Sequence, residues 1–174
     1  PTTTQPIGEI LVRGRHPGLT MTGYFGMPEA TAETVDADGW VRTGDLGALD
    51  PDGYLTFHGR VTDSIRRRGE NISAYEVEEA VTAHPDVVEA AAIGVPSDLT
   101  EEDVKVFVVP RPHALLAAPV LHRYLLEREP RSMVPRYYEL VDELPKTPTE
   151  KVEKHALRAR GRTARTWDSE ASRS

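Results

Sequence analysis

The sequence contains no cysteine among its 174 residues. This absence excludes a disulfide scaffold, a zinc site built on thiolates and a cysteine nucleophile. It is compatible with a reducing compartment, and we expect a cytoplasmic protein. The chain also lacks any apolar run near the roughly 20 residues that a membrane-spanning helix requires. We therefore expect no membrane span.

Positive charge is also in short supply. Lys and Arg number 21 against 28 Asp and Glu, and the formal net charge is −7. Such a balance gives no general attraction to nucleic acid or to an anionic membrane. The local exception is the run Arg66-Arg67-Arg68, which on its own fits a solvated face as well as it fits a phosphate site. No aromatic residues are interleaved with it, so we expect no nucleic-acid partner.

Two further features are missing. The six histidines, at positions 16, 58, 84, 113, 122 and 155, show no metal-ligand spacing, and we predict no metal site within this chain. The first residues have neither the basic nor the apolar region of a signal peptide, and the first residue is not methionine. We expect the chain to be part of a longer protein.

Residues 1–58 are rich in glycine and in short apolar stretches. The apolar run at 10–12 lies between turns and predicts a strand. Two Asp- and Gly-containing segments, at 36–39 and 50–53, predict turns, and the alternation at 54–57 predicts a second strand. We interpret this segment as the β-rich, incomplete C-terminal end of a larger domain.

Residues 59–160 change to alternating strands and helices. Ser73 followed by Glu76 is a capping box, and it predicts a helix whose apolar face carries Val77 and Val81. Strands are predicted at 87–95, 104–109 and 137–141, and further helices from Pro119 and near residue 152. The fold class is therefore α+β, with a compact second domain of a small sheet packed with helices. The polar residues 161–174 predict a disordered tail.

Three motifs carry residues that are unusual choices for structure alone. Asp45 stands between Gly44 and Gly47, where its carboxylate is accessible to the two vicinal hydroxyls of a ribose. Without further context, however, an ordinary Asp-containing turn is the favoured interpretation. Residues 59–78 run from Gly-Arg through the arginine run to the capped helix and can accept a narrow phosphate-bearing ligand. Residues 145–152 form a proline- and threonine-rich loop that presents Lys151, a mobile positive charge.

Taken together, the order and spacing of these motifs resemble the adenylate-forming superfamily of acyl-CoA synthetases, luciferases and peptide-synthetase adenylation domains. Residues 8–25 and 39–45 are similar to late motifs of its N-terminal domain. Residues 59–78 resemble the linker motif that opens its C-terminal domain, and residues 145–151 its terminal lysine motif. The sequence of residues 68–73 is most similar to that of carnitine or crotonobetaine CoA ligases and related acyl-CoA synthetases.

This resemblance implies an AMP-forming acid–thiol ligase that joins a carboxylate to ATP and then transfers the acyl group to CoA. It assigns the ribose hydroxyls to Asp45, a nucleotide contact to Arg60, and the bridge between carboxylate and α-phosphate to Lys151. It places the domain hinge at Thr62. It also implies a tunnel for the pantetheine arm of CoA, lined by Gly69, Arg66, Arg67 and Glu70.

The sequence departs from the family pattern at several points. The hinge position is usually aspartate or lysine, but here it is Thr62, and the residue before the terminal lysine is usually glycine, but here it is Glu150. Glu150 either pairs with Lys151 or faces solvent. The phosphate loop and the acyl pocket of the family lie upstream, so the expected partners include the missing N-terminal domain, which would also hold most of the Mg²⁺ that accompanies ATP. By itself the chain is expected to be inactive.

Two other functions stay open at this stage. The first is a stand-alone regulatory module that binds a nucleotide or CoA without catalysing a reaction. The retention of Asp45, Arg60 and Lys151 favours the ligase. The nearest alternative enzyme is an adenylation domain that loads a carrier protein instead of free CoA.

Overall fold

The chain divides into two compact units after Thr62. The computed structural model describes residues 6–16, 18–97, 99 and 101–171. Unit 1 is Pro1–Thr62 and unit 2 is Asp63–Ser174. The change in sequence pattern predicts a boundary after His58, whereas the last strand of unit 1 continues to Arg60.

Unit 1 is built on an antiparallel sheet of three strands in the order β1-β2-β3. Its elements are β1 (Gly8–Val12), α1 (Pro28–Thr34), β2 (Val41–Leu49) and β3 (Leu55–Arg60). Both predicted turns are confirmed. In the second, the Asp50 carboxylate accepts the Tyr54 N–H at 2.8 Å, and Gly53 takes a φ of 86°, which favours glycine. The short helix α1 was not predicted from the sequence.

Unit 2 begins with a β-hairpin and continues into a four-stranded sheet. Its order is β6-β7-β8-β9, antiparallel except for the parallel β7–β8 pair, which α3 connects. The elements are β4 (Ser64–Arg67), β5 (Glu70–Ser73), α2 (Ala74–Thr82), β6 (Val87–Pro96), β7 (Glu102–Pro110), α3 (Ala118–Leu126), β8 (Tyr137–Leu140), α4 (Lys154–Arg160) and β9 (Trp167–Asp168).

The central strand β7 explains how the core forms. Val104, Val106 and Val108 alternate onto one face, where they join the apolar residues of α2 and α3. Phe107 lies on the other face, in a cluster that includes Leu157 of α4. Because both faces are covered, the strand reads as a nearly continuous apolar run. The predicted α+β class is confirmed.

Helix α2 begins where the capping box predicts. The Ser73 hydroxyl accepts the Glu76 N–H at 3.3 Å, which satisfies one of the amides that have no partner in the first turn. Val77 and Val81 are buried on the inner face of the helix. This local signal is sufficient because capping and the apolar face both act within one or two turns.

The segment after Gly161 differs from the expected disordered tail. Trp167 and Asp168 form β9 on the edge of the sheet, and residues to 171 are described. Two interactions fix the segment. Arg136 forms a paired hydrogen bond with both Asp168 carboxylate oxygens at 3.1 Å, and buried Lys105 donates to the Gly161 carbonyl. The polar composition that predicts disorder instead supplies the groups that satisfy a buried charge.

That buried charge is an ion pair between Lys105 of β7 and Glu139 of β8. Both side chains are 0% exposed, and Nζ lies 2.6 Å from Oε2. Thr163 and Thr166 donate to the same carboxylate, and Arg160 donates to its other oxygen. The tail therefore completes the hydrogen bonding that an ion pair in a protein interior requires.

Candidate functional site

Asp45 and Arg60 face each other on neighbouring strands of unit 1. They are register partners in the β2–β3 pair, and Arg60 Nε lies 3.0 Å from Asp45 Oδ1. Arg60 Nη2 also donates to the Thr43 carbonyl at 3.2 Å. The Asp45 side chain is 36% exposed, so its carboxylate can accept further hydrogen bonds from a ligand. The structure thus brings together two residues that lie 15 positions apart.

Glu9 of β1 fixes the backbone beside this pair. Its carboxylate accepts the Gly44 N–H at 3.2 Å and a hydrogen bond from Arg42 Nη1 at 3.0 Å. Gly44 has a φ of 72°, and a Cβ there would lie 3.5 Å from Arg60 Nη2. The role of Glu9 leaves no local signal in the sequence, because its partners are more than 30 positions away.

The expected hinge, Thr62, lies in a single 3₁₀ turn, Val61–Asp63, and is exposed. The next residue, Asp63, is held firmly within unit 2. Its carboxylate pairs with Lys154 at 3.2 Å and with Arg158 at 2.9 Å, both on α4. The unit 2 side of the junction is therefore anchored at its first residue. Asp63 is a positioning residue whose role the motif does not reveal, because its partners on α4 are distant in sequence.

Lys154 also pairs with Glu78 of α2 at 2.9 Å, so one ammonium links α4 to both the linker and α2. Glu78 in turn accepts the Ala92 N–H at 2.7 Å. Burial raises the pKa of Glu78 above its ordinary value, and the nearby Lys154 lowers it only in part. The carboxylate is thus a structural group that joins α2, β6 and α4.

The turn between β4 and β5 contains two residues with positive φ. Arg67 and Glu70 are register partners, so Arg68 and Gly69 form a two-residue hairpin loop with φ of 53° and 79°. Positive φ at both positions is the type I′ geometry, which favours glycine. A Cβ on Gly69 would meet nothing within 4 Å. The backbone at Gly69 therefore faces open space at the tip of the hairpin.

The three consecutive arginines have different environments. Arg67 is buried, and its Nη1 donates to the carbonyls of Ser132 and Val134 at 3.1 and 3.0 Å. Arg66 is exposed and lies 3.8 Å from Glu101. The family resemblance assigns Arg67 to the CoA tunnel, but in the structure its guanidinium holds the segment between α3 and β8. Alternation along β4 explains the difference, because neighbouring side chains point to opposite faces.

Lys151 lies at the end of a tight, internally hydrogen-bonded loop in unit 2. Its N–H donates to Thr147 Oγ1 at 3.2 Å, and its carbonyl accepts the Thr147 N–H at 2.8 Å. Lys146 and Val152 pair as an isolated β-bridge below the turn. Among the described residues, no hydrogen bond or ion pair engages the Lys151 ammonium. A rigid backbone thus presents a free positive charge, three residues before α4.

Glu150 does not pair with Lys151. Its carboxylate is 82% exposed and lies 3.7 Å from Nζ of Lys146, which is held more closely by Glu89 at 2.7 Å. The pair with Glu89 raises the pKa of Lys146. Glu150 also adopts a φ of 62°, in the left-handed region that glycine prefers. The glycine expected from the family pattern would fit this backbone without strain.

Neither a membrane helix nor a metal cluster is found in the described part of the chain. No helix there has the length and apolar character to cross a bilayer. No group of three or more His, Asp or Glu side chains there is arranged to hold a metal ion. Lys151 lies in unit 2, whereas Asp45 and Arg60 lie in unit 1.

The sequence is similar to known ligases along most of its length. Residues 76–151 match the AMP-binding enzyme C-terminal domain family. The 2-methylpropanoate–CoA ligase of Humulus lupulus is 40% identical over 171 residues, which is 97% of this chain and 30% of that protein. The crotonobetaine/carnitine–CoA ligase of Escherichia fergusonii is 35% identical over 153 residues, or 87% of this chain and 29% of that protein.

One relative is named for a different acyl acceptor. The fatty acid–[acyl-carrier-protein] ligase of Streptomyces coeruleorubidus is 38% identical over 140 residues, 80% of this chain and 27% of that protein. Among solved structures, ATP-bound MatB from Rhodopseudomonas palustris superposes with a TM-score of 0.82 at 34% identity, covering 89% of this chain and 30% of that one. The chain spans about three tenths of the length of the curated relatives it matches.

Proposed function

Because the chain belongs to the adenylate-forming superfamily, as its C-terminal portion, we propose that it is part of an ATP-dependent acyl-CoA ligase. The observation that carries this proposal is the free ammonium of Lys151 on a rigid loop. Such a charge suits a reaction in which negative charge develops on phosphate oxygens. The relatives named above are ligases, which supports the same reaction class.

The proposed reaction has two steps. First, a carboxylate oxygen attacks the α-phosphate of ATP, giving an acyl-adenylate and pyrophosphate. Then the thiol of CoA attacks the acyl carbon, and AMP leaves as the thioester forms. Lys151 would contact both the carboxylate and the α-phosphate in the first step, where it neutralises charge on the two reacting groups and holds them together. ATP, with its Mg²⁺, and CoA are substrates in this scheme.

Asp45 and Arg60 are proposed to bind the nucleotide. The half-exposed carboxylate of Asp45 can accept hydrogen bonds from two adjacent ribose hydroxyls. Arg60, bound to both Asp45 and the Thr43 carbonyl, fixes the orientation of that carboxylate. The pair is then a preformed acceptor site whose geometry changes little when the ribose binds.

Thr62 and Gly69 are proposed to serve the second step. Thr62 is the last residue of unit 1, and Asp63 is anchored to α4, so a rotation at Thr62 would turn unit 2 as a body. Gly69 presents bare backbone to open space, as a wall of a narrow tunnel for a pantetheine arm requires. Arg66 and Glu70 flank this hairpin tip and are exposed to such a ligand.

The proposal for the acyl substrate rests on a shorter stretch of similarity than the proposal for the reaction. The segment 68–73 resembles crotonobetaine or carnitine CoA ligases, so a short quaternary-ammonium acid is the first substrate to test. The relatives act on different acids, such as 2-methylpropanoate. A panel with both acid types, assayed in the complete ligase by AMP release with CoA, would identify the preferred one.

Loading of a carrier protein is the second candidate function. It is favoured by the similarity to a fatty acid–[acyl-carrier-protein] ligase. Transfer of radiolabelled acyl groups to free CoA, compared with transfer to phosphopantetheinyl carrier protein, separates the two functions.

A stand-alone regulatory module is the third candidate function. Sequencing the coding region upstream of residue 1 distinguishes it, because a Ser/Thr/Gly-rich phosphate loop there requires a complete ligase.

The decisive experiment is Lys151→Ala in the complete ligase. The loss of a charge-stabilising group should lower the adenylation rate by about 10²–10³-fold. Thioester formation from preformed acyl-adenylate should be nearly unchanged, because the lysine acts only in the first step. Gly69→Leu should show the opposite pattern, with thioester formation alone impaired. Equal losses in both half-reactions for either variant would contradict the assignment of that residue.

A further inference from the structure

A small basic cleft lies between the hairpin tip and the start of β8 in unit 2. It has a volume of about 180 Å³, and its lining includes four guanidinium groups, those of Arg67, Arg68, Arg131 and Arg136. An adjoining cleft of about 200 Å³ shares three of these arginines and adds Glu70. Four guanidinium groups around one small cleft favour an anionic ligand.

Two of the four arginines carry no counter-ion. No ion pair or hydrogen bond engages the side chains of Arg68 and Arg131 among the residues that the structure describes, and both residues are exposed. Arg67 is turned inward, toward Asp103 at 3.4 Å. Arg68 and Arg131 are therefore available to a phosphate, with Arg67 contributing charge from beneath.

Arg136, the fourth, is already occupied by the tail. It pairs with Asp103 at 3.0 Å, with Asp168 at 3.1 Å and with Glu170 at 3.3 Å. Asp168 is fixed, because it belongs to β9 and receives two hydrogen bonds from the guanidinium. Glu170 is different: its side chain is 40% exposed, it makes one contact with Arg136, and it also lines the cleft.

From this arrangement we propose that Glu170 is an internal competitor for an anion-binding cleft formed by Arg68, Arg131 and Arg136. The tail carboxylate stands where a ligand phosphate would otherwise meet Arg136. Two of the three carboxylates that offset the four arginines belong to the tail, so moving this segment away leaves the cleft strongly positive. The tail thus lowers the affinity of unit 2 for phosphorylated ligands.

This inference deepens the proposed function, since both steps handle phosphate compounds. The shared chemistry is a diphosphate or a phosphate monoester, and it has two sources. One is the pyrophosphate released in the first step, and the other is CoA. The source can be distinguished with inorganic pyrophosphate, CoA and dephospho-CoA as probes.

The test is isothermal titration of the full 174-residue chain with each probe at low salt. Glu170→Gln should tighten binding of at least one probe by about three- to tenfold, because it removes the competing charge while keeping the side chain's size. Arg131→Gln should weaken the same probe by a similar factor. Preference for CoA over both other probes would identify its 3′-phosphate as the occupant, and preference for pyrophosphate would identify the diphosphate product.

The matched control is Glu143→Gln. Glu143 is exposed and follows β8 at the end opposite Arg136. The substitution therefore changes the net charge by the same amount as Glu170→Gln without altering the cleft. Equal tightening by both variants would mean that only total charge matters and would overturn the proposal. Unchanged affinity in Glu170→Gln, or no binding of any probe to either form, would also overturn it. None of these measurements depends on Lys151, so they stand apart from the half-reaction test.

Discussion

Asp63, the first residue of unit 2, is joined to Lys154 of α4 by an ion pair of 3.2 Å. Arg158 reaches the other oxygen of the same carboxylate. The proposed hinge residue Thr62 is thus followed at once by a residue fixed to the body of unit 2. If the linker rotates at Thr62, Asp63 should move together with unit 2.

Asp63→Asn should loosen this anchor. The neutral amide loses both ion pairs, and Lys154 keeps only Glu78. Because the Asp63 side chain is 20% exposed, we expect a loss of about 1 kcal/mol in the free energy of unfolding. Urea denaturation of the chain measures this. Asp142→Asn, at an exposed carboxylate, is the control and should cost nothing measurable; equal effects in the two variants would contradict the anchoring role.

The buried pair of Lys105 and Glu139 should be far more sensitive. Glu139→Gln leaves the Lys105 ammonium in the interior without a counter-ion, and such a loss costs about 3–5 kcal/mol. Burial already lowers the pKa of Lys105, so the amine would lose its proton in part and recover some of this cost. Urea titration should show a midpoint far below that of the parent chain. A loss under about 1 kcal/mol would show that the pair is hydrated.

The pH dependence of the free energy of unfolding should depend on the protonation of the Glu139 carboxylate. Burial alone would raise the pKa of Glu139, but hydrogen bonds from Lys105, Thr163 and Thr166 hold it below its ordinary value of 4.5. Burial would also raise the pKa of Asp168. The hydrogen bonds and charge of Arg136 outweigh burial and hold this pKa below 3.8. A pKa that is lower in the folded state gives stability that is present above the unfolded-state value and lost as the pH falls through the folded-state value.

We therefore expect the unfolding free energy to be level from about pH 7 to 5 and to fall below about pH 4.5. Glu78 works in the other direction, because its raised pKa makes protonation less costly in the folded state. Urea midpoints measured at intervals from neutral to acidic pH test this. In Glu139→Gln the acid-dependent fall should be smaller, and an unaltered profile would assign acid sensitivity to other groups.

Some of these features could be predicted from the sequence, and others could not. Ser73 identifies the start of α2 because a cap acts over three residues. Gly69 signals a turn because few other residues tolerate its φ. By contrast, the burial of Arg67 depends on carbonyls about 65 positions away, and Lys105 meets its partner 34 positions along the chain. Polar composition after residue 160 predicts disorder only when such distant partners are unknown.

The hairpin tip offers a test of backbone conformation without steric effects. Gly69 and Gly8 both have open space where a Cβ would be placed, but only Gly69 has a positive φ. Gly69→Ala should therefore cost about 1 kcal/mol, whereas Gly8→Ala should cost little. Thermal or urea unfolding of the two variants gives the comparison. Equal stability would indicate that the hairpin loop shifts to another turn type.

Glu150 offers the reverse test, since it already carries a side chain at a φ of 62°. Glu150→Gly should relieve about 1 kcal/mol of backbone strain, partly offset by the greater freedom of glycine in the unfolded chain. Glu150→Ala keeps the strain and removes only the contact with Lys146. Because the Glu150 side chain is 82% exposed, that contact contributes little to stability. We expect the glycine variant to be more stable than the alanine variant by about 0.5 kcal/mol, as measured by urea denaturation.

The same two variants, placed in the complete ligase, separate strain from charge in the proposed chemistry. We expect both variants to keep the adenylation rate within about twofold, because Lys151 remains free and its loop is held by Thr147. If its carboxylate instead weakens the field of Lys151, both should raise that rate alike. A rate that falls in the glycine variant alone would mean that the strained backbone itself places the lysine, since alanine retains that strain and glycine releases it.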